Sequence, residues 1–207
     1  MGERSAVTTP LRFEPPREDP DIPREMLERC KARDPAAFRA FVLRYQSAVF
    51  ALVSRMMGPG PHVQDLAQET FLRAYRAFPS FDLAGPAHVS TWLLTIAVRL
   101  ALNARKSAAR RAVSSLAEAA AFPDPATPET ERARRELGRA IARAAADLSD
   151  DQRAAFVLAE FHGMSLADIA QALEVPEGTV KTRLFRARAQ LRERLADFIK
   201  EEKGEPR

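Results

Sequence analysis

The sequence predicts an all-α protein in which two small helical domains are joined by a flexible linker. Apolar residues recur at steps of three and four along most of the chain, which is the spacing of a buried helix face. No segment alternates apolar and polar residues with the period of two that indicates a strand. Residues 108–130 are rich in proline and small side chains, a composition typical of a linker. A length of 207 residues is sufficient for one or two domains.

The first predicted domain spans residues 23–107. It follows an N-terminal extension, 1–22, that is predicted to be disordered because it combines prolines with mixed charge. Three long helices are predicted in this domain, and they cover Phe38–Val53, Asp65–Phe78 and 90–105. Glycines and prolines at 58–61 separate the first two helices. The serine and threonine at 90–91 are expected to cap the third helix.

The second predicted domain spans residues 131–200 and is followed by a short tail, 201–207. The helices predicted in and around it are 129–147, 150–161, 165–173 and 177–200. Ser165 is expected to cap the third of these, with Asp168 placed three residues later to complete the cap. The turn at 174–178 makes the last two helices a helix-turn-helix, whose second helix enters the major groove of DNA. The residues expected on its buried side are Val180, Leu184, Ala187, Leu191 and Leu195.

The charge distribution indicates a protein that binds a polyanion at two places. The net charge is only +4, but the bases are concentrated in two runs that contain no acid, 99–111 and 181–192. The second run lies on the second helix of the helix-turn-helix. A charge run is more often a solvated face than a binding site, so these arginines could serve solubility alone. We favour DNA binding because the turn, the cap and the basic face agree.

Absent features disfavour several other classes of protein. A single cysteine, Cys30, excludes an internal disulfide and a multi-cysteine zinc site, and no redox role is expected for it. The three histidines are isolated, and no glycine-rich phosphate loop or catalytic set is present, so we expect no metal, no cofactor and no enzymatic activity. No uninterrupted apolar run reaches about 18 residues, and no export signal is visible, so a cytoplasmic protein without a membrane segment is expected.

Four stretches carry a family resemblance. In the first domain they are Asp65-Leu-Ala-Gln-Glu-Thr-Phe-Leu-Arg-Ala-Tyr75 and Ser90-Thr-Trp-Leu-Leu-Thr-Ile-Ala97. In the second domain they are Gly163-Met-Ser-Leu-Ala-Asp-Ile-Ala170 and Gly178-Thr-Val-Lys-Thr-Arg-Leu-Phe-Arg-Ala-Arg188. They resemble regions 2 and 4 of the extracytoplasmic-function (group IV) sigma factors of the sigma-70 family. The resemblance extends over about 24–107 and 130–197, and it implies a sigma factor that binds core RNA polymerase, recognises promoters and promotes strand opening.

The resemblance also implies roles for individual residues. Those implied to dock on the clamp helices of the polymerase β′ subunit are Asp65, Gln68, Glu69 and Arg73. Those implied at the minus-ten element are Trp92, Arg99, Asn103, Arg105 and Lys106. Those implied at the minus-thirty-five element are Thr179, Lys181, Thr182, Arg183, Phe185 and Arg186. The implied partners are core RNA polymerase, through its β′ clamp helices and β subunit, promoter DNA, and a separate anti-sigma factor.

Physical reasoning about the residues supports two of these roles. A domain that captures opened DNA needs an aromatic ring for bases beside basic groups for phosphates, and Trp92 precedes the basic run 99–111. Trp92 could equally be a core residue, or do both. Four basic residues are expected to contact phosphate, because they are predicted to lie at a fraying helix end; they are Arg105, Lys106, Arg110 and Arg111. On the second helix of the helix-turn-helix, Arg183 and Arg188 are expected at the sides of the reading face, where they would also contact phosphate.

Four features depart from the family pattern. Val89 stands where an aromatic residue usually precedes Ser-Thr-Trp, and the loop 81–92 is about two residues longer than the common spacing. Arg99 stands where many members have asparagine. Glu174 stands where a glycine is common, so slight backbone strain is expected in that turn. The preferred promoter sequence is therefore not inferred from the family.

Two other interpretations use the same features. A promoter-specific repressor or activator would need the helix-turn-helix, with N-terminal helices that bind an effector or dimerise. Such a regulator has no reason to carry the stretches 65–75 and 90–97. An adaptor or anti-sigma-type interaction protein would not need two basic patches. Transcription with purified core polymerase distinguishes a sigma factor from both.

Overall fold

The structure, a computed structural model, describes residues 22–58, 60–85, 88–112 and 147–202. In these ranges the chain forms α-helices and one 3-10 turn and contains no strand, which confirms the predicted all-α fold class. The N-terminal bundle consists of α1 (Arg24–Lys31), α2 (Pro35–Met57), α3 (His62–Ala77), the 3-10 turn Phe78–Ser80 and α4 (Val89–Ala112). The C-terminal bundle consists of α5 (Asp150–Glu160), α6 (Leu166–Leu173) and α7 (Glu177–Glu202).

The bounds of α2 follow from the residues that flank it. The Asp34 carboxylate accepts hydrogen bonds from the Ala36 and Ala37 N–H groups at 2.8 and 3.3 Å, which caps the helix. Pro35 occupies the first helical position, where a missing N–H costs nothing. Gly58 ends the helix with a φ of 80°, a value that favours glycine.

By length and mean hydropathy alone, α2 could cross a membrane, which the prediction from uninterrupted apolar runs did not anticipate. Its sequence nevertheless includes three arginines, and one of its sides is the centre of the N-terminal bundle. The buried residues on that side are Ala37, Phe41, Tyr45, Val49, Leu52, Val53 and Met56. They pack against the neighbouring helices α3 and α4. We therefore interpret α2 as a core helix.

A cluster of aromatic rings holds the N-terminal bundle together. The ring of Phe41 lies 5.1 Å from that of Phe78 and 4.9 Å from that of Tyr45, measured between centroids. Phe41 and Phe78 are fully buried, and replacing such a residue by alanine typically costs about 3–5 kcal/mol. This cluster fixes the positions of α3 and α4, which carry the candidate functional residues.

The start of α4 differs from the prediction. The first backbone hydrogen bond of the helix runs from the Trp92 N–H to the His88 carbonyl at 3.0 Å, and the helix begins at Val89. Ser90 and Thr91 therefore lie inside the helix and do not cap it. The buried Val89 side chain joins the core, so tertiary packing extends the helix past its expected cap.

The end of α4 also differs from the prediction. The helix continues to Ala112, beyond the expected end at Arg105 and into the segment 108–130 that was expected to be a linker. Residues 105–112 consist of alanine, arginine, lysine and serine. They include no glycine or proline, so nothing in the sequence stops the helix there. Arg105 consequently lies well inside a helix and not at a fraying end.

The C-terminal bundle matches the predicted helices closely. The hydroxyl of Ser165 accepts the Asp168 N–H at 3.1 Å, which confirms the predicted cap of α6. Asp150 and Asp151 begin α5, as expected, behind a capping box of Ser149 and Gln152. The predicted helix 129–147 lies outside the described residues except for its last position, as do the extension 1–21, the linker from 113 onwards and the tail from 203. The predicted domain boundaries remain predictions.

The two bundles contact each other in this structure. Helix α5 packs against α2 and α4, and α6 packs against α4. A single set of buried apolar residues runs from the N-terminal bundle into α5, α6 and the start of α7. The contact places Arg99 and Arg105 of α4 beside charged residues of the C-terminal bundle.

Candidate nucleic-acid interface

Helix α7 presents a basic face that is open to solvent. Its buried side is the predicted one, since Val180, Leu184, Ala187 and Leu191 are buried and Leu195 is half-buried. The exposed residues on the opposite side, near the start of the helix, are Lys181, Thr182, Phe185 and Arg186. Phe185 exposes 75% of its surface, which is unusual for a phenylalanine. We call these four residues, with the half-buried Thr179, the reading face.

Two arginines of α7 are held away from the reading face. Arg183 donates to the Asp151 carboxylate of α5 at 2.6 Å, and Arg188 donates to Glu160 of α5 at 2.8 Å. Arg183 was predicted as a minus-thirty-five contact and Arg188 as a phosphate contact. The structure groups neither with the reading face, because acids on α5 fix both side chains. This pairing could not be predicted from the sequence, since the chain has 28 acidic residues and nothing in their order indicates which of them an arginine contacts.

Helix α4 carries a stripe of candidate residues along one side. Trp92, Arg99, Asn103 and Lys106 fall within a sector of about 60° when successive residues are about 100° apart. Asn103 and Lys106 are exposed. Trp92 is half-buried, and its ring lies 5.3 Å from that of Phe78 and 4.8 Å from that of Phe81. We call these four residues the α4 stripe. Trp92 therefore combines core packing with a partly accessible ring.

Arg105 is not part of the α4 stripe. Its guanidinium forms an ion pair with Asp150 at the start of α5 and donates to the Met56 carbonyl at 2.9 Å. The side chain is three-quarters buried and faces the C-terminal bundle. The structure therefore does not bring Arg105 together with the other predicted minus-ten residues.

Arg99 lies on the α4 stripe but is also engaged by the C-terminal bundle. Its Nε donates to the Ala172 carbonyl at 2.9 Å, and its Nη2 donates to the Gln171 carbonyl at 3.1 Å. The same Nη2 lies 3.1 Å from a carboxylate oxygen of Glu174. Glu174 has a φ of 55°, so the strain expected in this turn is confirmed.

The predicted protein-binding residues lie on the exposed side of α3. Asp65, Gln68 and Arg73 are exposed, and Arg73 forms an ion pair with Glu69 at 2.7 Å. Beside Gln68 lies a shallow groove between α2 and α3, lined by apolar and amide side chains that include Phe38, Val42, Gln46, Phe71 and Tyr75. Two apolar residues of the groove, Phe50 and Leu72, expose 40% and 45% of their surfaces.

The exposed pair Phe50 and Leu72 was not predicted from the sequence. Leu72 lies among the polar residues of α3, between Phe71 and Arg73, and an apolar residue on a polar helix face is a usable signal of a binding surface. Leu43, at 58% exposure, extends the exposed apolar surface along α2. The arrangement offers an apolar floor bordered by charged and amide groups, which is typical of a protein interface.

Two titratable groups are buried where the bundles meet. Burial and, to a smaller extent, the positive charge of Arg55 on α2 together lower the pKa of His162 to about 4. Its Nε2 atom is buried without a hydrogen-bond partner in the described part of the chain. Burial and the neighbouring Arg105 likewise lower the pKa of Arg153 to about 10. Burial also raises the pKa of the Cys30 thiol, which has no exposed surface.

The described residues contain no cluster of histidine, cysteine or carboxylate side chains that could hold a metal ion. A concavity along α1 is lined by Arg24, Glu28, Lys31 and residues of the 3-10 turn and the loop after it. It is wide and shallow. The candidate functional surfaces are the three on α3, α4 and α7.

Two family models match this chain. The model of Sigma-70 region 2 matches residues 41–111, and the model of Sigma-70, region 4 matches residues 138–191. The first match contains α3, the α4 stripe and most of α2. The second contains α5, α6 and the reading face.

Curated relatives align with nearly the whole chain. The RNA polymerase sigma-H factor of Pseudomonas aeruginosa is 35% identical over 186 residues, covering 86% of this chain and 95% of that protein. The ECF RNA polymerase sigma-E factor of Escherichia coli (strain K12) is 36% identical over 184 residues, covering 84% of this chain and 95% of that protein.

Two solved structures have the same fold over both bundles. One is the sigma factor RpoE in complex with the anti-sigma factor NepR from Bartonella quintana, with a TM-score of 0.63 and 25% identity. It covers 77% of this chain and 96% of that chain. The other is CnrH in complex with the cytosolic domain of CnrY, with a TM-score of 0.61, 26% identity and coverage of 84% and 97%.

Proposed function

The chain belongs to the sigma-70 family, as a sigma factor of the extracytoplasmic-function type, and we propose that it starts transcription through three separate surfaces. It binds RNA polymerase, recognises promoter DNA for transcription initiation and is not an enzyme. Within the family we assign it to group IV, on the motifs of α3, α4 and α7.

The first surface, on α3, docks on the clamp helices of the polymerase β′ subunit. The exposed Asp65, Gln68 and Arg73 and the paired Glu69 supply polar contacts at its rim. The groove beside them supplies the apolar area, because Phe50 and Leu72 would lose their solvent contact on docking. The β subunit is a second expected contact of the chain on the polymerase.

The second surface is the α4 stripe, which holds the opened minus-ten strand and so promotes strand opening. The accessible part of the Trp92 ring can stack on or support an unpaired base. Arg99, Asn103 and Lys106 follow it along the helix and can contact phosphates. Arg105 reaches DNA only when its ion pair with Asp150 is broken.

The third surface is the reading face of α7, which recognises the minus-thirty-five element in the major groove. Lys181 and Arg186 can donate to guanine edges, and the exposed Phe185 ring can contact a thymine methyl group. Thr179 and Thr182 lie at the start of the helix, where recognition helices approach base edges. Arg183 is assigned a minor role, since Asp151 already binds its guanidinium.

We also propose a separate anti-sigma factor as a partner and action in the cytoplasm, where the polymerase and the promoters are. Support for the partner comes from RpoE and CnrH, each of which was solved in complex with a protein that binds it. The apolar groove on α2 and α3 is a surface for which such an inhibitor and the polymerase could compete.

The observation that carries the proposal is that one chain exposes a basic helix face with an exposed phenylalanine and, on another bundle, an apolar groove rimmed by polar groups. A repressor needs only the first of these. The proposal is tested by measuring the affinity of the chain for core polymerase by fluorescence anisotropy. Changing Gln68 and Glu69 together to alanine should weaken this affinity about tenfold, an effect of the size expected for interface residues.

The matched control is Arg76→Ala, which changes an exposed residue near the end of α3 that is assigned no contact. It should leave polymerase affinity unchanged, and neither variant should alter binding of the free chain to promoter DNA. Equal affinity for polymerase in the wild type and the Gln68, Glu69 variant would exclude α3 as the docking surface.

A further inference from the structure

The side chain of Arg99 makes several polar contacts with the end of α6. One guanidinium is shared by three acceptors, the Ala172 and Gln171 carbonyls and the Glu174 carboxylate. The last carbonyl groups of a helix have no partner within it and carry its partial negative charge. A cation placed there satisfies them, so Arg99 caps α6 from the neighbouring bundle.

Glu174 has a backbone conformation that favours glycine, and its side chain is the group that reaches Arg99. Its φ of 55° lies in the left-handed region, which glycine occupies without cost and which other residues occupy at about 1 kcal/mol or more. A glycine there would have no carboxylate to reach Arg99. Arg99 and Glu174 are also two of the positions at which this chain departs from the sigma-factor pattern, and in the structure they are partners.

A second group of contacts ties the same two bundles together. Arg105 of α4 pairs with Asp150 of α5. The guanidinium of Arg55 on α2 lies 4.2 Å from the centroid of the Phe161 ring, just after α5, in a cation–π contact. Three arginines of the N-terminal bundle therefore hold the C-terminal bundle, and two of them belong to the proposed minus-ten residues.

We propose that Arg99 and Glu174, supported by Arg105 and Asp150, form a latch that keeps the free protein closed and its minus-ten residues masked. This inference rests on the proposed function of the α4 stripe. The carboxylates and carbonyls use the same guanidinium donors that DNA phosphates would use, so the two sets of contacts exclude each other. The reading face of α7 stays uncovered in the closed form.

Promoter geometry requires the latch to open. The minus-ten and minus-thirty-five elements are about 25 base pairs apart, or about 85 Å at about 3.4 Å per step. Bundles in direct contact cannot occupy both elements at once. The residues between Ala112 and Asp147 could span about 110 Å if fully extended at about 3.3 Å each, so the chain is long enough for the open form.

The test measures the distance between the bundles in the free, full-length chain. Cys30 is replaced by serine, and dyes are attached to cysteines introduced at the exposed positions Ser47 on α2 and Glu193 on α7. Energy transfer reports closure. Glu174→Gln removes the charge of Glu174 without altering the backbone, and it should shift the open-to-closed ratio about two- to fivefold, as expected for a partly exposed ion pair. Glu174→Arg should shift it tenfold or more.

The matched control is Glu177→Gln, which removes an exposed carboxylate three residues later and leaves the Arg99 contacts intact. Affinity for a randomised 12-nucleotide single-stranded DNA is measured on the same proteins. It should rise in the Glu174 variants by about the factor by which the open form rises, and should rise less in Glu177→Gln.

Energy transfer that does not change in Glu174→Arg would overturn the latch. If the Glu174 variants open but bind single-stranded DNA no more tightly than Glu177→Gln does, the proposal that the closed form masks the minus-ten residues is overturned. Adding Arg99→Ala to the opened Glu174→Arg variant tests the latch and the proposed DNA contact of Arg99 separately. If it leaves single-strand affinity unchanged, Arg99 is not a DNA contact, whereas the energy-transfer result still decides whether the latch exists.

Discussion

Trp92 connects the aromatic core of the N-terminal bundle to the α4 stripe, so its two roles need separate measurements. Trp92→Leu keeps apolar bulk against Phe78 and Phe81 but removes the π-face that a base could stack on. We expect this variant to lower open-complex formation tenfold or more, because base stacking on an aromatic side chain contributes about 1–3 kcal/mol. Permanganate footprinting of the promoter measures the opening.

The control for Trp92 is Phe81→Leu, which disturbs the same ring cluster at a buried position that is assigned no DNA contact. Both variants should lose stability to a similar degree, measured by urea unfolding. If the two also lose promoter opening equally, per folded molecule, Trp92 is a core residue only.

His162 predicts how stability depends on pH. Its folded-state pKa of about 4 lies below the ordinary value of 6.5, so the unfolded chain binds the proton more tightly. The stability present above pH 6.5 is therefore lost as the pH falls toward 4. Between pH 7 and pH 5 the loss from this residue should be about 2 kcal/mol. Urea unfolding of the wild type and His162→Gln at both values checks this, and equal losses in the two proteins would contradict it.

At the level of single residues, the sequence predicts which side chains are exposed better than it predicts which side chains form ion pairs with each other. The four exposed residues of the reading face follow from the apolar stripe on α7, since the 3.6-residue period determines which side faces out. The ion pairs of Arg183 and Arg105 do not follow, because each depends on an acid 32 or 45 residues away in sequence. Only the packing of α5 against α7 and α4 selects those acids.

Helix α7 carries arginines of two kinds, those exposed on the reading face and those paired with acids of α5. Arg186→Ala should weaken binding to the preferred minus-thirty-five sequence by about 1–3 kcal/mol and relax the preference at one or two positions. Arg188→Ala should change DNA binding little, because its guanidinium is paired with Glu160, and should cost less than about 1 kcal/mol of stability. Selection of bound duplexes from a randomised library measures both preferences. A changed preference in the Arg188 variant alone would mean that α7 is rotated from the inferred orientation in the groove.

Among the helices, those of the C-terminal bundle were predicted to within one or two residues, and α4 was not. The caps at Ser149 and Ser165 and the turn at Glu174 are local features, so the sequence defines them. The ends of α4 depend on the burial of Val89 and on the absence of any stop signal before Ala112. The exposed groove between α2 and α3 was missed because it depends on how two helices pack.

For the molecule as a whole, the sequence predicts two helical units but not that they touch. The basic run 99–111 was interpreted as free to bind DNA, yet the structure pairs Arg99 and Arg105 with the C-terminal bundle. These contacts join residues 45 or more positions apart in sequence, and the charge pattern along the chain does not indicate which residues pair. The departures at Arg99 and Glu174 were visible in the sequence, and their pairing was not.

The most direct test of the central claim is transcription in vitro with purified core RNA polymerase, genomic DNA fragments and this chain as the only added factor. The account predicts discrete transcripts that start at a shared promoter sequence and that disappear when the chain is omitted. Fragments lacking that sequence should remain silent. No transcripts with core polymerase, together with altered transcription by a polymerase that already carries another sigma factor, would contradict the account and identify the chain as a promoter-specific regulator.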